Sequence, residues 1–377
     1  STSKKKSLLK IISNFFFYFF QTIKIILFIF NKKNILEIDV GRYKIYEKEK
    51  QSTISYILKK NKIDSQTISL SYNSKIFDKN RNLLLIEKKF NIFFSNKKKK
   101  NLNFLDIYSS IYLQQVSIYL VIKFFIKLFR CKKIIYLDNP ILSKLIIYCG
   151  KTQIKTFDIQ HAMISKLSVM YKFYVNKKYE YIFSKKIIIW GSYWKKFFSK
   201  NPRCINLGYL EYNKKFNSKK KKQIFIVGSG YERKQLINLL HFLSTNLNNY
   251  QIIYKLRPEE IFSEFKKLIN FSSSNIIFLE KIPEHILKKT IAESQYVIGT
   301  NSTLLIESIN LSNVIVYRKG WYKELNELIK KKVFLSGKNC KDVLNLIKSN
   351  KLSKNKIKQK TIFKIPYKSS LKNLLEK

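Results

Sequence analysis

Residues suited to binding a phosphorylated ligand follow three short apolar runs in the second half of this sequence. They are Gly228, Ser229, Gly230, Arg257, Pro258, Thr300, Asn301, Ser302 and Thr303. Unpaired N–H groups at a glycine turn or a helix start receive phosphate oxygens, and a guanidinium offers a fixed charge with parallel N–H donors. The pattern therefore predicts a phosphate-binding site. The competing interpretation is that these are ordinary turn and capping residues, which strand-to-helix junctions need.

The apolar runs that precede these residues predict a parallel sheet. Runs rich in Ile and Val cover residues 223–227, 251–255, 275–279, 296–298 and 314–317. Helical patterns of about ten to fifteen residues separate them, and strands that alternate with helices form parallel sheets buried on both faces. Because such sheets bind ligands at the carboxyl ends of their strands, we expect the phosphate-binding residues to share one edge.

The first half of the sequence shows the same alternation. Strand patterns at residues 133–137 and 153–157 end beside Asp138, Asp158 and His161. An imidazole titrates close to neutral pH, so His161 is predicted to be the catalytic base, with either aspartate as an alternative. A buried histidine bonded to the backbone is the competing interpretation. The fold class expected is α/β, with two facing Rossmann-like domains.

Composition divides the chain into five segments. These are a basic and apolar segment at 1–34, a first domain at 35–213, a linker at 214–222, a second domain at 223–345 and a tail at 346–377. Residues 8–30 approach the length of a membrane-spanning helix, but lysine, asparagine and glutamine interrupt them. A lysine in mid-bilayer costs about 2.5–3.5 kcal/mol, so we expect a membrane-associating helix on the cytoplasmic face of the inner membrane. The alternative is a buried helix of the first domain.

The formal net charge of +50, from 74 Lys and Arg against 24 Asp and Glu, predicts attraction to polyanions. Part of this charge reflects codon bias, because Lys, Asn, Ile, Phe and Tyr are abundant throughout the chain. The basic residues are scattered and form no nucleic-acid-binding motif, which favours an anionic membrane surface over specific nucleic acid. The four cysteines lack metal-ligand spacing and are expected to be buried thiols in a reducing compartment.

Short motifs in both halves match a pattern known from one group of enzymes. Gln160 and His161, followed by Trp-Gly-Ser-Tyr-Trp at residues 190–194, are similar to paired motifs of capsule and lipopolysaccharide transferases. The glycine, Arg-Pro and hydroxylated motifs of the second half resemble those of sialyltransferase-like families and of the glycerophosphotransferases of teichoic acid synthesis. Two residues depart from these families, since Arg257 stands where histidine is usual and Ala162 where glycine is usual.

The resemblance implies a GT-B fold and an inverting glycosyltransferase that needs no metal ion or other cofactor. Its donor would be a nucleotide sugar, with a lean toward a CMP-linked nonulosonic acid such as sialic acid or Kdo. Its acceptor would be a lipooligosaccharide, a capsule glycan or another cell-surface glycan. The sequence has no Asp-x-Asp motif, which argues against the metal-dependent donor site of the other common glycosyltransferase fold. The residues assigned to the nucleobase or ribose are Lys281, Ile282, Pro283 and Glu307.

Three alternatives stay open. Glu307 is equally suited to a structural or solvated role. The enzyme alternative is a CDP-polyol phosphotransferase of the teichoic-acid type. The alternative from another class is a non-catalytic basic protein that binds membranes or nucleic acid, and such a protein would keep its binding when Arg257 or His161 is replaced by alanine.

Overall fold

The computed structural model describes two parallel sheets and most of the second half of the chain. The described residues are 34–39, 43–46, 49–69, 83–85, 120, 123–124, 126–127, 131–137, 149, 152–161, 163–164, 185–198, 204–211, 218–257, 260–269, 273–352, 361–364, 366 and 370–376. The expected membrane-associating segment lies outside them except for Asn34, as do Asp138, Ala162 and Pro258. Within these ranges, no helix combines the length and apolar character needed to cross a bilayer.

The first sheet is built from strands of residues 35–206. The strands of this part of the chain are β1 (Ile35–Asp39), β2 (Tyr43–Tyr46), β3 (Glu49–Ser52), β4 (Gln66–Ser69), β5 (Leu83–Leu85), β6 (Lys133–Leu137), β7 (Lys155–Ile159), β8 (Lys186–Ile189) and β9 (Cys204–Asn206). Seven of them form a sheet in the order β5-β4-β1-β6-β7-β8-β9, with every neighbouring pair parallel. Strands β2 and β3 pair separately as an antiparallel ribbon. Strands β6 and β8 are largely apolar runs, whereas β1 and β7 carry the buried polar side chains Glu37 and Asp158.

The second sheet is also parallel. Its strands are β10 (Lys221–Val227), β11 (Gln251–Lys255), β12 (Ile276–Leu279), β13 (Ser294–Gly299), β14 (Asn313–Tyr317) and β15 (Leu335–Gly337). The order β12-β11-β10-β13-β14-β15 is the doubly wound 3-2-1-4-5-6 order when the strands are numbered from β10. Strand β10 begins at Lys221, which pairs with Ser294, so the last two residues of the predicted linker belong to the sheet.

Helices follow most strands of the second sheet. The helices of the described residues are α1 (Thr53–Lys60), α2 (Arg233–Asn246), α3 (Phe262–Lys266), α4 (Glu284–Glu293), α5 (Thr303–Glu307), α6 (Asn326–Lys330), α7 (Cys340–Lys348) and α8 (Ser370–Glu376). Two 3₁₀ helices cover Ser192–Phe198 and Gly320–Leu325. Leucines at helical spacing bury one face of α2 against β10 and β11. The predicted domain boundary at residue 345 falls inside α7.

The end of the chain returns to the first half. Lys364 N donates to Trp190 O at 2.8 Å, and Trp194 Nε1 donates to Ile362 O at 2.7 Å. A Cβ added to Gly191 would overlap the backbone of residues 361–362, so only glycine permits this approach. Farther on, α8 inserts Leu371 and Leu375 into the core of the first sheet. The Trp-Gly-x-x-Trp motif therefore forms the surface on which residues 361–364 pack.

We expect Trp194→Phe to weaken the packing of residues 361–364 on this motif, because the buried carbonyl of Ile362 then loses its hydrogen-bond donor. An unsatisfied buried carbonyl costs about 1–3 kcal/mol, which urea unfolding would resolve as a lower free energy of unfolding. Tyr193→Phe is the matched control, since it removes a neighbouring aromatic hydroxyl and leaves the Trp194 bond. Equal stability of both variants and the parent would contradict this role.

The expectation of buried thiols holds for Cys131 and Cys149, whereas Cys204 of β9 and Cys340 are half-buried and depart from it. Cys149 is 0% exposed, and burial raises the pKa of its thiol to about 12; burial raises the pKa of Cys131 to about 11. Since the thiolate is the reactive form, both thiols should resist a disulfide reagent in the native protein at pH 8 and react once urea unfolds it. Half-buried Cys340 serves as the internal comparison and should react first. Rapid native labelling of Cys131 and Cys149 would contradict the described packing.

Candidate functional site

A buried carboxylate, Glu232, joins three loops at the carboxyl edge of the second sheet. Ser229 donates its hydroxyl hydrogen to Glu232 Oε2, and Thr300 Oγ1 donates to the same oxygen at 3.3 Å. Gly320, at φ +58°, lies against the other carboxylate oxygen, where an added Cβ would overlap Oε1. These loops follow β10, β13 and β14, and the strand order reverses between β10 and β13. Glu232 thus fixes the backbone at the place where doubly wound sheets bind ligands.

The guanidinium of Arg257 lies over the glycine turn that follows β10. Its Nη1 is 3.1 Å from the position that a Cβ would take on Gly230. Glu260 holds the loop, because its Oε2 accepts from Arg257 N at 2.8 Å and its Oε1 accepts from Arg233 Nε at 2.8 Å. Gly228 N donates to Lys255 O at 2.9 Å and joins the ends of β10 and β11. A half-buried cation therefore adjoins a turn without side-chain bulk, as a phosphate site requires.

The four residues from Thr300 to Thr303 divide into an anchor and an outer part. Thr300 is 1% exposed, and its hydroxyl hydrogen goes to Glu232. Ser302 caps α5, with its Oγ accepting from Leu304 N at 3.2 Å, and Asn301 Nδ2 donates to Glu324 Oε2 at 3.0 Å. Asn301, Ser302 and Thr303 are half-buried and reach the surface beside the turn.

The residues predicted to contact the nucleobase or ribose lie in two places. Lys281, Ile282 and Pro283 follow β12, and Pro283 is the N-cap residue of α4. Glu307 is buried in α5 and forms an ion pair with Lys288, which is also buried. Lys288 Nζ lies 5.6 Å from the centre of the Tyr209 ring, so this pair connects the second half to the first. Glu307 consequently has a structural partner, and its contact with a ribose stays a prediction.

The predicted base, His161, is held by a unit that includes both motifs of the first half. Gln160 Oε1 accepts from Trp190 N at 3.0 Å, and Gln160 O accepts from Trp190 Nε1 at 2.6 Å. His161 follows directly, half-buried, beyond the carboxyl end of β7. Asp158 lies within β7 and is 6% exposed, and both ring nitrogens of His161 are buried as well, so His161 and Asp158 both stay candidates for the base.

Sequence reasoning missed Glu232, Glu260 and Gly320. The Ser229-x-x-Glu232 spacing before a helix is the signature of a capping box, which was the one available signal. Instead of capping the helix backbone, the two side chains bond to each other. In the described part of the chain, no cluster of three His, Cys, Asp or Glu side chains is arranged to hold a metal ion.

Gly320→Ala should be strongly destabilising. The left-handed backbone costs a non-glycine residue about 1–2 kcal/mol, and the clash with Glu232 adds about 1–3 kcal/mol. Urea unfolding measures the loss. Gly230→Ala is the matched control, because its Cβ would meet only the far end of the Arg257 side chain. In a Glu232→Ala background the cost of Gly320→Ala should fall, and an unchanged cost would contradict the contact.

No protein-family model and no curated protein matches the sequence. Solved structures do match over most of their length. The spinosyn rhamnosyltransferase SpnG in complex with thymidine diphosphate has a TM-score of 0.60 at 9% identity, over 92% of this chain and 100% of that one. UDP-GlcNAc 2-epimerase of Methanocaldococcus jannaschii, with UDP-GlcNAc and UDP, has a TM-score of 0.55 at 13% identity, over 91% and 99%. UDP-GlcNAc 2-epimerase of Neisseria meningitidis, bound to UDP-GlcNAc, has a TM-score of 0.53 at 13% identity, over 91% and 100%.

These similarities establish the fold. The chain has the GT-B-like arrangement of two parallel α/β sheets that the motifs implied, and the enzymes it is similar to are glycosyltransferases and nucleotide-sugar epimerases. The finer assignment to the sialyltransferase-like or teichoic-acid families stays a prediction.

Proposed function

We propose that this protein is a glycosyltransferase that uses a nucleotide-sugar donor. The observation that carries the proposal is Arg257 poised over the glycine turn at the β10/β13 reversal, on a fold shared with enzymes solved with nucleotides or nucleotide sugars. A leaving nucleotide gains negative charge as the sugar bond breaks. A guanidinium and backbone N–H groups held in place before the reaction would stabilise that charge.

The proposed acceptor enters from the first sheet. His161 would remove the proton from the acceptor hydroxyl as the hydroxyl oxygen attacks the sugar, and the nucleotide would leave with the bonding electrons. Direct displacement of this kind inverts the sugar carbon and needs no metal ion. The Gln160–Trp190 hydrogen bonds would fix the backbone from which His161 extends.

Substrates and location are proposed from the motifs and the charge. The resemblance supports a CMP-linked nonulosonic acid as donor and a lipooligosaccharide, capsule or other surface glycan as acceptor. The net charge of +50 and the apolar stretch at 8–30 support attachment to an anionic membrane surface on the cytoplasmic face of the inner membrane.

A nucleotide-sugar epimerase is the second candidate, because UDP-GlcNAc 2-epimerases cover this chain as fully as the rhamnosyltransferase does. The two functions differ in what they need. An epimerase converts its nucleotide sugar without a glycan, whereas a transferase releases nucleotide in proportion to glycan added. The CDP-polyol phosphotransferase would be distinguished by transfer of a phosphorylated polyol.

Thermal unfolding with CMP, CDP, UMP, UDP, TDP, GDP and ADP tests the proposal. A nucleotide at a hundredfold excess over its dissociation constant stabilises the native state by about 2.7 kcal/mol. We expect the nucleotides of one base to raise the melting temperature of the wild-type protein. The same nucleotides should not raise the melting temperature of Arg257→Met. Arg233→Met, which removes an arginine paired with Glu260, is the matched control. If anionic vesicles or oligonucleotides stabilised the protein and no nucleotide did, the proposal of an enzyme would be overturned. The non-catalytic binding protein would then be favoured.

A further inference from the structure

Tyr231 is an exposed aromatic residue in the central loop of the candidate site. Its exposed fraction is 83%, the highest among the large apolar and aromatic side chains exposed in the described residues. Within those residues its ring has no aromatic neighbour, cation or hydrogen-bond partner. Most tyrosines and phenylalanines of the second sheet, by contrast, pack into its core, as Tyr254, Tyr296 and Phe225 do. Covering an exposed aromatic ring with a ligand is favourable, because the ring surface is then removed from water.

The backbone on both sides of Tyr231 is fixed. Gly230 lies under Arg257, and Glu232 is 3% exposed, with bonds from Ser229 and Thr300. Gly320 closes on the same carboxylate from a third loop. The ring therefore projects from an anchored loop. The backbone that carries it is held beside the Arg257 guanidinium, which is proposed to bind phosphate.

The order of the strands places Tyr231 relative to a bound donor. Lys281 and Pro283 follow β12, Arg257 follows β11 and Tyr231 follows β10, and these three strands are neighbours in that order. Neighbouring strands are about 4.8 Å apart. A nucleotide sugar is linear, with base, phosphate and sugar in sequence. With the base at β12 and the phosphate at Arg257, as the sequence predicts, the sugar would reach the loop after β10.

We propose that the Tyr231 ring stacks on the apolar C–H face of the sugar carried by the donor, which makes Tyr231 a donor-recognition residue. This inference rests on the proposed nucleotide-sugar function. Stacking uses the ring face and leaves the phenol hydroxyl dispensable. It also separates recognition of the sugar from recognition of the nucleotide, which is assigned to other strand ends.

The test is calorimetric binding of the bare nucleotide found by thermal unfolding and of its sugar conjugates, to wild type, Tyr231→Ala and Tyr231→Phe. We expect Tyr231→Ala to bind the nucleotide sugar about tenfold more weakly and to bind the bare nucleotide as wild type does. Tyr231→Phe should bind both normally, because its ring remains. Equal melting temperatures of the three proteins would show that the exposed residue is not needed for folding.

Several results would overturn the inference. If Tyr231→Ala bound the bare nucleotide and the nucleotide sugar equally more weakly, the ring would lie on the base or the ribose. If Tyr231→Phe bound the nucleotide sugar more weakly than wild type, the contact would be made by the phenol hydroxyl. Unchanged donor binding with a raised KM for the glycan would place the ring on the acceptor. Each leaves the proposed function standing, whereas a wild-type protein that binds no nucleotide or nucleotide sugar removes both.

Discussion

Replacement of Arg257 by methionine is expected to lower kcat/KM about 10²–10³-fold, the loss typical of one preorganised donor to a developing negative charge. Methionine keeps an unbranched apolar stem over Gly230, and the Arg257 backbone N–H to Glu260 does not depend on the side chain. Stability should therefore change little. Steady-state kinetics with donor and glycan, together with urea unfolding, measure the two effects separately.

Arg257→Lys and Arg233→Met sharpen this prediction. Lysine retains the charge but not the planar pair of donors, so we expect it to recover only part of the activity. Arg233→Met removes an ion pair with Glu260 and should leave kcat/KM near the wild-type value. If Arg257→Met turned over donor at the wild-type rate, the phosphate site would have to lie elsewhere on the edge of the sheet.

His161→Asn is expected to reduce kcat by about 10²–10⁴-fold, the contribution of a positioned general base. Nucleotide binding should be unaffected, because His161 belongs to the first sheet. The wild-type pH–rate profile should fall on the acid side as the imidazole takes up a proton, and the variant should lose this limb. Rates measured from pH 5 to 9 and a nucleotide titration provide the readouts.

Two controls separate His161 from the other candidates. His285→Asn changes an exposed histidine of α4 and should preserve both the rate and the pH profile. Asp158→Asn tests the carboxylate alternative within β7. Retention of the acid limb in His161→Asn and its loss in Asp158→Asn would transfer the role of base to Asp158.

The capping-box spacing of Ser229 and Glu232 shows where sequence reasoning stopped. The spacing is visible in the sequence, but its use is not, because the carboxylate also binds Thr300, 68 residues away. Likewise, nothing local indicates that Gly191 must admit residues 361–362 or that Glu307 pairs with Lys288. These contacts depend on which loops the finished sheets bring together.

The sequence by itself determined the α/β class, strands β6, β7 and β10 to β14 to within a few residues and the chemical types at the strand ends, but it did not predict β1 or β15. It could do so because strand periodicity, helix spacing and turn chemistry are local properties of the chain. Only the tertiary structure decided that the strand order reverses between β10 and β13, that Arg257 lies over Gly230 and that Tyr231 is exposed in the loop after β10. Strand order and backbone approach arise from packing between distant segments, and a short pattern of residues does not encode either.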